Sequence, residues 1–232
     1  MNISKEKTVA EVVSENMGAD HIFSKYNIDF CCGGNVTLEK ACEEKGIAFE
    51  KLKTEIETVV NIISNDTNFN EMDLNSLIDY ALNVHHNYFS EKIPLILQLS
   101  LKVAEVHWQQ HKEVIEINNL FNKVISELNE QISTEEKKFF PSIKKYTTQK
   151  NRDQIELEYV TKTILNIENV HKQTRDEFKS IAKLTNNYSP PEDACNTYKS
   201  LYINLQEFEQ KLHSYLHFEK HILFPRVIQS WQ

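Results

Sequence analysis

Apolar residues recur at alternating steps of three and four along most of the chain, the spacing that gives a helix one buried face. The clearest case is Leu201 to Pro225, where Leu201, Leu205, Phe208, Leu212, Tyr215, Glu219 and Ile222 form one stripe. Further stripes run Leu74, Ile78, Ala81, His85, Phe89; then Ile117, Phe121, Val124, Leu128, Gln131, Glu135, Phe139; and then Val160, Ile164, Ile167, His171, Thr174, Phe178, Ile181. Between the first two, Pro94 is expected to open a new helix, a position that tolerates proline, with Leu97, Leu101, Ala104 and Trp108 facing inward. The third stripe is expected to stop near Pro141, and Tyr188-Ser-Pro-Pro191 to break the fourth.

The first 63 residues predict shorter helices. Thr8 and Glu11 have the spacing of a capping box. Asn35 or Thr37 can cap a helix that ends at Gly46, and another covers roughly 49–63. Residues 64–73, rich in Asn and Asp, are expected to be a linker. The expected organisation is therefore a small helical domain over 1–63 and an all-α bundle over 74–232.

Composition agrees with this. Only 4 glycines and 5 prolines in 232 residues leave few interruptions to helix. A formal net charge of −8 provides no basic footprint for nucleic acid. The N-terminus lacks the apolar core of a signal peptide, and no apolar run reaches membrane-spanning length, so a cytoplasmic protein with no membrane partner is expected. In that compartment the four cysteines are expected to be thiols or ligands, not structural disulfides.

Glutamates in an apolar stripe demand an explanation, because a buried carboxylate must be paired, protonated or metal-bound. Glu135-Glu-Lys-Lys-Phe-Phe-Pro141 and Glu219-Lys-His-Ile-Leu-Phe-Pro225 form a weak internal repeat, each with Glu six residues before Pro. The two glutamates lie 84 residues apart, and His85 and His171 lie 86 apart. Two similar halves, each with a core-facing His followed by a core-facing Glu, predict a four-helix bundle with approximate two-fold symmetry. Carboxylates from facing helices, completed by imidazoles, are how bundles hold dinuclear iron or manganese. The alternative is a metal-free layer in which His bonds Glu and Gln131 bonds Tyr215. His213, His217 and His221 share a line at i, i+4 and i+8 and are expected on a solvated face; His21, His86, His107 and His111 have no spacing that singles them out.

Cys31-Cys32-Gly33-Gly34 precedes the helix that Asn35 or Thr37 caps. Thiols near a helix N-terminus gain thiolate character, and the glycines allow unusual backbone angles, so the pair can bind metal, exchange disulfides or transfer iron. Cys42 is expected to pack within its helix, and Cys195, just before the long last helix, to be packed as well.

At these residues the chain resembles the iron–sulfur cluster repair di-iron (RIC) proteins over nearly its whole length. Ile28-Asp-Phe-Cys-Cys-Gly-Gly-Asn-Val-Thr-Leu-Glu-Lys-Ala-Cys42 resembles that family's small N-terminal domain. Thr185-Asn-Asn-Tyr-Ser-Pro-Pro-Glu-Asp-Ala-Cys195 and Glu219 to Pro225 resemble its hemerythrin-like up-down four-helix bundle. The resemblance implies repair of iron–sulfur clusters damaged by nitric oxide or oxidative stress, with damaged iron–sulfur proteins as partners and iron donation from a non-haem centre of two iron ions. It implies His85, His171, Glu135 and Glu219 as metal residues and Cys31 and Cys32 as the working thiols. A homodimer is compatible with it. In the family a histidine lies four residues before each glutamate; here those positions hold Gln131 and Tyr215, which can offer an amide oxygen and a phenolate. Two other readings remain open: a hemerythrin-like sensor or carrier of oxygen or nitric oxide, and a metal-poor relative acting only through its cysteine pair. Whether the protein is an enzyme is left open.

Overall fold

The computed structural model describes residues 3–15, 19–26, 28–30, 33–63, 69, 71–147 and 154–231. Cys31 and Cys32, and most of the expected linker, lie outside the described residues. The fold is all-α. Its helices are α1 (Val9–Glu15), α2 (Ala19–Lys25), α3 (Leu38–Lys45), α4 (Phe49–Ile63), α5 (Leu74–Tyr80), α6 (Asn87–His107), α7 (Glu113–Thr134), α8 (Phe140–Thr147), α9 (Gln154–Leu184), α10 (Asn196–Phe218) and α11 (Phe224–Gln229). Three π-helical segments, Ala81–His86, Glu135–Phe139 and Glu219–Leu223, join α5 to α6, α7 to α8 and α10 to α11. Among the described residues, no helix is long and apolar enough to cross a membrane.

The chain divides into two compact units, one of residues 1–77 with 212–232 and the other of residues 78–211. In the first unit, α1 to α4 close over Val9, Val12, Val13, Phe23, Phe30, Leu38, Leu52 and Ile56. Its local signals act as the sequence predicts. Glu11 N donates to Thr8 Oγ1 (3.2 Å) and Thr8 N donates to Glu11 Oε2 (2.7 Å), which is the reciprocal capping box. Thr37, not Asn35, caps α3, accepting from Lys40 N at 3.3 Å, and Gly46 ends that helix with φ 63°.

The second unit is built from α6, α7, α9 and the first part of α10. Phe208 of α10 lies at its centre. The ring centroid is 5.3 Å from Phe89 of α6, 5.6 Å from Phe121 of α7 and 5.8 Å from Phe178 of α9. The stripes predicted for α7 and α9 are buried at every position.

Proline brings two corrections. Pro94 lies inside α6 and does not start a helix. Its missing N–H leaves the Ser90 carbonyl without its helical donor, but Ser90 and Pro94 are both exposed, so water can supply the bond. Continuing the helix from Phe89 also changes its phase. The buried residues are Phe89, Ile93, Ile96, Ser100 and Val103, while Leu101 and Trp108, expected inside, are about half exposed. Likewise the helix does not stop at Pro141 but runs through it to Thr147.

Candidate metal centre

The polar layer begins with backbone geometry. Glu135 and Glu219 each open a five-residue π-turn, and their carbonyls accept from the N–H five residues on, at Phe140 and Phe224. The prolines that close the internal repeat explain this. A proline ring crowds the carbonyl four residues back and supplies no N–H, and a widened turn relieves both problems. A third π-turn, Ala81–His86, fits an extra residue into the helix that carries the histidines. As a result His85 and His86 are both buried, although neighbours on an α-helix diverge by about 100°.

Stripe reasoning does not single out His86, yet this residue bonds the carboxylate. Its Nε2 lies 3.2 Å from Glu135 Oε2 and its Nδ1 lies 3.0 Å from Glu136 Oε1, with the ring stacked on Phe140. His85 packs edge-on against Tyr80, centroids 5.4 Å apart. Burial, with His86 and Lys211 nearby, pushes its imidazole down to about 3, so it is neutral. Two adjacent histidines closing a widened turn are a pattern that a fixed 3.6 period cannot detect.

On the opposite side of Glu135, Gln131 Nε2 donates to Glu135 Oε1 at 2.7 Å and lies 3.0 Å from His171 Nε2. Gln131, Glu135 and His171 are all buried, with Glu135 0% exposed. The structure thus brings His86, Glu135, Gln131 and His171 together as one hydrogen-bonded row in the second unit. A groove of about 450 Å³ between α7 and α9, lined in part by Gln131, Thr134, Thr163 and Ile167, reaches this row. Tyr215 and Glu219 belong to the first unit, and both are fully buried.

The donors suit a hard or borderline cation by type: carboxylate and amide oxygen with imidazole nitrogen. Metal–ligand bonds of about 2.1 Å place neighbouring donors about 3 Å apart in octahedral coordination. The contacts of 2.7, 3.0 and 3.2 Å along the row are ordinary polar contacts between successive members, which keep these groups near one another without aiming them at one point. Among the described residues, no three or more His, Cys, Asp or Glu side chains already converge as a metal-holding group. The row is closed by the Gln131 amide N–H, and turning that amide over would present its oxygen instead.

The first unit overturns the expected solvated face for His217. This residue is fully buried. Its Nδ1 donates to the Phe30 carbonyl at 2.9 Å, its Nε2 accepts from Ser14 Oγ at 3.2 Å, and its ring stacks on His221 with centroids 4.7 Å apart. Burial and the nearby His221 push its imidazole down to about 3 against the opposing pull of the Phe30 carbonyl. His213 and His221 are half-buried. Phe30 immediately precedes Cys31, and Gly34, just after the pair, gives its carbonyl to Ala10 N at 2.8 Å. A Cβ on Gly34 would lie 2.4 Å from the Phe30 carbonyl oxygen, so no larger residue fits. Both flanks of the cysteine motif are therefore fixed within this unit.

The amide of Asn reaches the Nδ1 position of histidine and that of Gln reaches Nε2. His217→Gln, which abandons the Phe30 carbonyl, is thus expected to cost about 1–3 kcal/mol and more than His217→Asn. Urea midpoints of the two variants check this, and the reverse order would make Ser14 the partner that matters.

Cys195, expected to be packed, is instead exposed at the start of α10, whereas Cys42 is buried as expected.

Comparison with known proteins gives a consistent result. Residues 5–60 match ScdA_N, a domain of unknown function (DUF542), and residues 77–227 match the hemerythrin HHE cation binding domain. An iron-sulfur cluster repair protein ScdA from Staphylococcus haemolyticus is 30% identical over 224 residues, 97% of this chain and 99% of that protein. A probable iron-sulfur cluster repair protein from Haemophilus influenzae is 31% identical over 233 residues, 99% of this chain and 100% of that protein. The iron-sulfur cluster repair protein YtfE from Pectobacterium atrosepticum is 27% identical over 226 residues, 97% of this chain and 98% of that protein.

Proposed function

The chain belongs to the family of iron–sulfur cluster repair proteins, and on that premise we propose that it repairs damaged clusters by donating iron from a non-haem centre of two ions. The observation that carries the reading is the buried row His86, Glu135, Gln131, His171, whose donor types suit iron. Bound there, iron supplies a protected store of ions for rebuilding clusters.

Each residue has a proposed task. Glu135 provides the anionic oxygens, and its burial denies them to water. His86 and His171 provide imidazole nitrogens, with His85 as a second donor on the same π-turn. Gln131 orients Glu135 and His171 through its amide and can turn to offer oxygen. Glu219 is proposed as the second carboxylate and Tyr215 as its companion, on the strength of the internal repeat and the family pattern. Cys31 and Cys32 are proposed to pass iron onward. Nitric oxide or oxidative damage is the proposed origin of the clusters repaired, and damaged iron–sulfur proteins are the proposed partners.

Iron analysis of anaerobically purified protein is the first test. About two irons per chain are expected, the complement of a carboxylate-bridged pair. Fewer than about half an iron per chain after reconstitution would remove the donor mechanism. Gln131→His, which adds an imidazole beside Glu135, is expected to tighten iron binding by roughly tenfold or more, measured by chelator competition.

A further inference from the structure

One end of the second unit gathers reactive groups that the metal row does not use. Cys195 immediately precedes α10, and its carbonyl accepts from Lys199 N at 3.0 Å, which makes it the N-cap residue of a 23-residue helix. From 88 positions away in the sequence, His107 at the end of α6 brings Nε2 to 3.3 Å from the Cys195 sulfur. The fully buried Tyr198 packs against the His107 ring, centroids 5.1 Å apart, and fixes its place. Next to this pair, His111 Nε2 lies 3.0 and 3.1 Å from the two Asp193 oxygens, and its Nδ1 lies 3.3 Å from Glu113 Oε1. The bond to Asp193 raises the His111 imidazole above its ordinary range, which favours a cation here.

We propose that Cys195 and His107 form a nucleophile–base pair that reacts with peroxides, making Cys195 a site of sulfenic acid formation. A nucleophile within hydrogen-bond reach of a base, itself held by a third group, is the arrangement that activates weak nucleophiles. Exposed thiols are the ones within reach of oxidants, and Cys195 is exposed at the opening of α10. Peroxide is the electrophile that the pair suits best. Its leaving group is a strong base that must be protonated to depart, and His107 holds the proton it needs.

The step balances. The thiol proton moves to His107 Nε2, and the sulfur attacks one peroxide oxygen. The S–O bond forms as the O–O bond breaks, and the departing hydroxide takes the proton from His107 as water. Sulfur is oxidised to the sulfenic acid, peroxide is the oxidant, and the imidazole returns to its starting state. Iron takes no part, so the proposal stands or falls separately from the repair reading.

The test is a pulse of hydrogen peroxide on the reduced full-length protein with dimedone present to trap sulfenic acid, read by peptide mass spectrometry. Cys195 is expected to label at least about tenfold faster than glutathione under the same conditions. His107→Gln keeps a hydrogen-bonding side chain without the base and is expected to slow Cys195 at least about tenfold. The wild-type chain unfolded in urea, where His107 no longer faces Cys195, is expected to slow it similarly and needs no folded variant. Labelling of His107→Gln within about twofold of wild type would overturn the proposal, since general-base assistance is worth far more than that. So would native labelling no faster than glutathione. Complete protection by one equivalent of Zn²⁺ would overturn it too, by showing the cluster to be a metal site.

Discussion

Alanine at position 135 is expected to leave the protein unable to retain iron. The carboxylate is the only anionic side chain in the row His86, Glu135, Gln131, His171, and both its oxygens have partners there. Substitutions that disturb only the residues behind a metal ligand already weaken binding about 10–100-fold. Loss of the carboxylate itself should exceed the upper end of that range. Glu135→Gln separates charge from shape, because an amide fills the same space and can still bond Gln131. It is expected to lose iron nearly as fully as alanine while retaining most of the stability. Glu135→Ala should cost a further 1–3 kcal/mol, roughly, from polar groups left in a dry layer. Iron content and the urea midpoint, measured on both variants, give the answer. Wild-type iron content in Glu135→Gln would show that the carboxylate charge is dispensable.

Phe208→Ala is expected to have the largest effect on stability. The ring touches phenylalanines on α6, α7 and α9 and lies fully buried on α10. Removing it deletes aromatic contacts to three helices and leaves a cavity that none can fill alone. Substitutions of this kind cost about 3–5 kcal/mol. For a chain of this size that corresponds to a fall in melting temperature of roughly 6–20 °C. Thermal unfolding monitored by circular dichroism checks it. Phe208→Leu should recover much of the loss, because it restores most of the volume.

The legible part of the fold is the part governed by helix periodicity. The stripes through Phe121 and Leu128 on α7, and through Ile164 and Phe178 on α9, are buried as their spacing predicts. Glu135 and His171 are identifiable because a charged or polar residue in such a stripe is costly. The Thr8 and Glu11 capping box is legible because it depends only on local geometry.

The misses arise where the period changes or where a tertiary partner decides. Starting a helix at Pro94 resets the phase and moves Leu101 and Trp108 to the wrong face. His86 escapes stripe reasoning because a π-turn turns two adjacent residues inward, which no fixed period represents. His217 looks solvated in sequence because its partners, Ser14 and the Phe30 carbonyl, come from about two hundred residues away. Cys195 looks packed in sequence because its exposure is decided by tertiary neighbours such as His107, 88 positions away. Each of these depends on long-range contacts or on a departure from 3.6 residues per turn, and the local sequence carries neither signal.

The π-turns after Glu135 and Glu219 also govern how the chain tolerates change in length. In an α-helix every residue adds about 100° of rotation and 1.5 Å of rise. A widened turn absorbs one residue without advancing the helix by that full step, so the phase of the next helix depends on the turn as much as on the residue count. A one-residue deletion between Glu135 and Phe140 can be taken up by the turn tightening to α-helical form, with Pro141 then strained. The same deletion two turns earlier would rotate Gln131 and Glu135 off the core face together. The two glutamates therefore mark points where the helix has slack, and the segments just before them mark points where it has none.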